Sequence, residues 1–165
     1  KESKWIYDEL VAHISSDENI AAGSAHRGSQ IFTSAQCAAC HRNGDVGDSI
    51  GPDLTNLTQR FRRKEILESI IYPSHVISDQ YRSKTVITDK GRQYTGIVAA
   101  GAPGEVVILQ QDGKKVPLER DSIEEILPSR KSAMPEGLID NLTLQEVTDL
   151  FTSQPPKTLT AMRQD

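Results

Sequence analysis

An α+β fold is predicted from three observations. Apolar residues recur at three- to four-residue spacing in segments near both ends of the chain. Between residues 83 and 127 the helical period is lost, in short runs rich in Val, Ile and Thr. Tight-turn signals separate those runs, so a small antiparallel sheet or closed barrel is expected as an insert between helical segments.

Residues 4–15 place Ile6, Leu10 and Ile14 at four-residue spacing beside Trp5, Tyr7 and Val11, which predicts an amphipathic helix. The stretch Ser15-Ser16-Asp17-Glu18-Asn19 breaks it or caps a following turn. A second helix is expected over 24–34, with Gly28, Ile31, Phe32 and Ala35 on one side. Residues 43–53, rich in Gly and Asp, are a loop. A third helix fits 63–71 through Ile66, Leu67, Ile70 and Ile71, and Pro73 stops it. The expected strands are 83–88, 93–99, 106–111, 115–118 and 122–127, with turns at Asp89-Lys90-Gly91, Gly101-Ala102-Pro103-Gly104 and Asp112-Gly113. The last helix begins at a capping box, Thr143 with Glu146, where Leu142 and Val147 are spaced as a hydrophobic staple. It continues through Leu150 and Phe151 and stops before Pro155-Pro156. The expected layout is therefore an N-terminal helix or linker over 1–22, one domain built from 23–80 and 128–154, a β subdomain over 81–127, and a tail over 155–165.

With 165 residues, 36% apolar and 25% charged, the chain can bury a core without disulfide staples. The net charge of −4, with no basic run interleaved with aromatics, argues against a nucleic-acid or anionic membrane partner. No apolar run approaches the roughly 20 residues of a bilayer span, so no membrane insertion is expected. Three Phe, four Tyr and one Trp are few for a core of this size, so something besides aromatic side chains is expected to fill part of it. Lys1 in place of Met suggests a processed protein or a piece of a longer one.

Both cysteines lie in one motif, Cys37-Ala38-Ala39-Cys40-His41. Cys-x-x-Cys-His is the attachment pattern of haem c. Two thiols three residues apart reach two vinyl groups on one porphyrin edge, and the adjacent His points its imidazole at the iron. Three rival readings exist. A dithiol redox pair needs a strand leading in and a helix leading out, the reverse of the order here. A zinc site needs four ligands, and His13, His26 and His75 lack the paired spacing. Two thiols beside a chance His is the third. For a second axial ligand, Met134-Pro135 lies in a polar loop before the last helix, where filling the core is an unusual use of Met. His75 is its competitor, His13 and His26 read as surface residues, and Met162 lies in a polar tail.

The order Gly28…Phe32, Cys37-x-x-Cys40-His41, Gly51-Pro52-Asp53-Leu54, helix, Met134-Pro135, helix resembles class I cytochrome c. With Arg27-Gly28, Tyr72-Pro73-Ser74 and Ser132-Ala133-Met134-Pro135-Glu136-Gly137-Leu138, it is similar to the haem-binding domains of planctomycetes and related bacteria. The resemblance implies a helical haem domain with a β insert, one covalent haem c on Cys37 and Cys40, and His41 and Met134 as iron ligands. It also implies that the Pro52 carbonyl holds the His41 Nδ1–H. The implied role is electron transfer without catalysis, to or from a redox partner protein or a fused dehydrogenase domain, in the periplasm or an equivalent compartment. A haem sensor or small peroxidase with a displaceable Met is the alternative.

Two departures stand out. About 50 residues of strand-like sequence separate the third helix from Met134, more than an ordinary loop. They are expected either to dock a partner, since strand edges invite pairing, or to shield the haem edge. The last helix also carries Ser153 where the family has an aromatic that packs near Gly28, with Phe151 the nearest substitute. Arg62, Arg63 and Lys64 read as a solvated helix face, and the Asn56-Leu57-Thr58 and Asn141-Leu142-Thr143 sequons as capping or chance.

Overall fold

The computed structural model describes residues 4–75, 77–78 and 81–152. Ser153, Met162 and the tail over 155–165 lie outside them. The helices are α1 (Tyr7–Ser15), α2 (Asp17–Ala21), α3 (Ala25–Ser34), α4 (Leu57–Arg60), α5 (Arg63–Ile71) and α6 (Leu144–Thr152). Between α5 and α6 run β1 (Arg82–Thr88), β2 (Gln93–Ala100), β3 (Glu105–Leu109), β4 (Lys115–Glu119) and β5 (Ile123–Ser132). Among the described residues no helix is long and apolar enough to cross a membrane.

The helical core collects the expected apolar faces. Leu10 and Ile14 of α1, Ile31 and Phe32 of α3, Leu67 and Ile71 of α5, and Val147, Leu150 and Phe151 of α6 form one buried cluster with Ile139. Short polar side chains cap the starts of α2, α3 and α6. Ser16 Oγ accepts from Asn19 N–H at 3.3 Å, and Ser24 Oγ accepts from Arg27 N–H at 3.3 Å. At α6, Thr143 N–H donates to Glu146 at 2.7 Å and Glu146 N–H to Thr143 Oγ1 at 3.2 Å, the reciprocal box the sequence predicts.

α3 and α6 are also joined by a charge pair. Asp149, 1% exposed, accepts from Arg27 Nε at 2.7 Å and Nη2 at 3.0 Å, and from Ser24 N–H at 2.7 Å. Burial raises the Asp149 pKa, but the Arg27 hydrogen bond dominates and holds it below the usual carboxylate range. This pair joins the two helices, and Phe151 is buried in the same cluster as Ile31 and Phe32 of α3.

His13 is not the surface residue expected. It is half-buried, with Nε2 2.8 Å from Thr148 Oγ1 and Nδ1 3.2 Å from Asn19 Nδ2. Thr148 Oγ1 donates to Leu144 O, so it accepts from His13 Nε2–H, which ties α1 to α6. His26 is exposed, as expected. Arg63 pairs with Asp17 at 2.7 Å.

All five strands are antiparallel, in the order β4-β3-β2-β1-β5. β4 and β5 are separate edges, so the sheet is open and the closed-barrel expectation is corrected. Both edges carry a proline. Thr88 N–H faces β2, bonding Arg92 O at 2.9 Å, so by alternation Val86 and Lys84 face β2 as well. Lys84 opposite Pro128 is then a non-hydrogen-bonded pair, and the Pro128 nitrogen faces outward. Gln110 N–H bonds Lys114 O at 2.9 Å, and the same alternation turns the Pro117 nitrogen outward on β4. Each free edge thus lacks a donor at its centre, which blunts pairing with another strand. β5 also runs five residues past the expected end at Leu127, pairing with β1 as far as Arg82 opposite Ser132, whose N–H is held by Ser74 Oγ at 3.1 Å.

Candidate functional site

α3 delivers the chain to the motif. Gln36 takes a left-handed conformation at φ 66° and turns the chain out of the helix. Cys37–Ala39 form a single 3₁₀ turn, with Cys40 N–H and His41 N–H both donating to Cys37 O, at 3.2 and 2.9 Å. The small Ala38 and Ala39 allow the following loop to fold back over the turn. Asp48 N–H bonds Ala38 O at 2.9 Å, Gly51 N–H bonds Cys40 O at 2.7 Å and Leu54 N–H bonds Arg42 O at 2.8 Å.

Two glycines make that fold-back possible. Gly47 has φ +99°, and a Cβ there would stand 2.0 Å from His41 O. At Gly51 a Cβ would meet His41 Nδ1 at 3.0 Å and Cε1 at 3.1 Å, so the backbone lies directly against the imidazole.

His41 Nδ1 is 2.9 Å from Pro52 O. A carbonyl only accepts, so the proton is on Nδ1 and the Nε2 lone pair is left for another partner. Burial lowers the His41 pKa more than the Pro52 bond raises it, which favours the neutral ring. Cys37 and Cys40 are half-buried and not joined by a disulfide. Burial pushes the Cys37 thiol up to about 11. It raises Cys40 too, with Asp48 adding to the rise and Lys115 opposing it. Thiols held protonated are poor dithiol-exchange nucleophiles, which depend on a depressed pKa. Among the described residues no group of three or more His, Cys, Asp and Glu side chains could hold a metal ion.

The structure therefore brings Cys37, Cys40, His41 and Pro52 into one turn and loop. Met134 comes from beyond the inserted sheet, far along the chain from Pro52, and is half-buried, its N–H bonded to Ser132 Oγ at 3.1 Å. Its neighbour Ala133 is buried in a cluster with Ile97 and Leu109, against which Cys40 and Ile50 pack. His75 is exposed, and its ring stacks on Tyr72 at 4.8 Å and 11°. The contacts between sheet and motif were not read from the sequence. Lys115 of β4 pairs with Asp48, and Gly113 in the β3–β4 turn lies over Ala39, 3.7 Å separating the Ala39 Cβ from a Cβ built on Gly113.

A haem c group suits this donor set: two thiols on one turn, and a neutral imidazole whose Nδ1–H is already engaged. No curated protein matches the chain in sequence. Residues 25–97, from α3 into β2, match the family model for cytochrome c, a family of electron carriers that are not catalysts, and the matched stretch contains Cys37, Cys40, His41 and Pro52 and ends before Met134.

Proposed function

We propose that this chain is a c-type electron-transfer unit holding one haem c through thioether bonds to Cys37 and Cys40, with His41 Nε2 and Met134 Sδ as axial ligands. The observation that carries this reading is the His41–Pro52 contact of 2.9 Å, which orients a neutral ring with its free lone pair on Nε2. When bound, haem c supplies reversible one-electron chemistry at iron. The protein's own residues do the rest. Gly51 and Pro52 fix the imidazole, the loop from 42 to 54 closes over the motif, and burial keeps the ring unprotonated. With Met134 as a second iron ligand beside His41, haem c would offer no open site for a substrate, so the unit reads as a carrier rather than a sensor or peroxidase. The resemblance of the motif order to the planctomycete-type haem-binding domains supports reading the chain as an extracytoplasmic unit with a fused or separate dehydrogenase as its partner.

The test is haem staining of a denaturing gel after expression with a c-type maturation system. Wild type is expected to stain, and the Cys37→Ala/Cys40→Ala double variant is not. An unstained wild-type band would overturn the proposal.

A further inference from the structure

We infer that the inserted sheet is a fixed cover over the Cys40 side of the attachment motif, with Lys115 and Leu109 as the residues that position it; this rests on the haem reading above. Three contacts carry the inference. Leu109, 0% exposed, and Ile97 pack in one cluster with Ala133, Cys40 and Ile50. The Lys115 ammonium pairs with the Asp48 carboxylate, tying β4 to the loop that folds back on the motif. Gln111 Nε2 donates to Ser132 O at 3.0 Å, fastening the β3–β4 turn to the segment that leads into Met134.

The other face and the edges of the sheet do not compete for this role. Val86, Val106 and Ile108 form a cluster whose packed partners, such as Tyr94 and Val116, are themselves strand residues. Both free edges present a proline nitrogen outward, so docking by strand addition is disfavoured. What remains is the face that meets the motif. Packing against Cys40 there would keep water and redox partners from a group attached at that thiol, and shielding from solvent raises a reduction potential when the oxidised form carries the greater charge.

The experiment is hydrogen exchange by mass spectrometry on the purified holoprotein, with the reduction potential measured alongside. Lys115→Glu sets two carboxylates against each other and is expected to speed exchange of amides in 37–48 and 110–116 by about threefold to tenfold, with a lower potential. The Asp48→Lys/Lys115→Glu double variant restores the pair with reversed sign and is expected to return both readings to wild type. Leu109→Ala removes the apolar half of the contact and is expected to raise exchange in the same peptides. Unchanged exchange in Lys115→Glu and Leu109→Ala, or no recovery in the charge-swapped variant, overturns the cover. A preparation without haem stain would instead overturn the haem reading, while the exchange data would still decide whether the sheet guards the motif.

Discussion

Replacing Asp149 with Asn tests the join between α3, which delivers the chain to the motif, and α6. The carboxylate accepts four hydrogen bonds: from Ser24 N–H at 2.7 Å, from Arg27 Nε at 2.7 Å and Nη2 at 3.0 Å, and from Gln145 Nε2 at 3.1 Å. An amide keeps one acceptor and turns its NH₂ toward a donor, so at least one partner loses its bond. Breaking a buried ion pair costs about 3–5 kcal/mol. Arg27 is 55% exposed and regains water when released, which lowers the expected cost to about 2–3 kcal/mol. In a chain of this size that is a fall of about 4–12 °C in melting temperature. The sign with pH follows from the depressed carboxyl pKa. Its stabilisation is present above the unfolded value of about 3.9 and is lost as pH falls through the folded value. Thermal unfolding followed by circular dichroism should therefore show a gap between wild type and Asp149→Asn at pH 7 that narrows in strong acid. Equal melting temperatures at pH 7, or a gap of the same size in acid, would refute the reasoning.

Two further substitutions are informative. Thr143→Ala removes one arm of the capping box at α6 and is expected to cost about 1 kcal/mol, or about 2–4 °C in a thermal melt. Gly51→Ala forces a methyl to within 3.0 Å of His41 Nδ1 and of Cys40 O. It should destabilise by about 1–3 kcal/mol and change the visible spectrum of the holoprotein, whereas a neutral effect on both would mean that the loop does not press on the ring.

The parts of the fold that local sequence determines were legible. The span predicted for α5 matches Arg63–Ile71, because an apolar stripe ends at Pro73, and the α6 cap follows from Thr143 and Glu146 alone. Short Val-, Ile- and Thr-rich runs between turn signals located all five strands, and turns such as that at Gly91, φ +71°, sit where composition puts them. What escaped depends on residues far apart in sequence. His13 is held by Thr148, 135 residues away, and Ser132 by Ser74, 58 residues away, and nothing local marks either contact. Whether the sheet closes depends on how β4 and β5 come to lie in space, which strand composition and turn signals do not encode. At the site, the motif and Pro52 could be read from spacing and resemblance. The Lys115–Asp48 pair could not, because a lysine on an edge strand looks like any solvated charge.

The most direct measurement is the optical spectrum of the ferric holoprotein, wild type beside Met134→Ala. Ligation by His41 and Met134 predicts a low-spin spectrum with a thioether-to-iron charge-transfer band that Met134→Ala abolishes while the haem remains attached. A high-spin wild-type spectrum, or a band that survives the substitution, would contradict it.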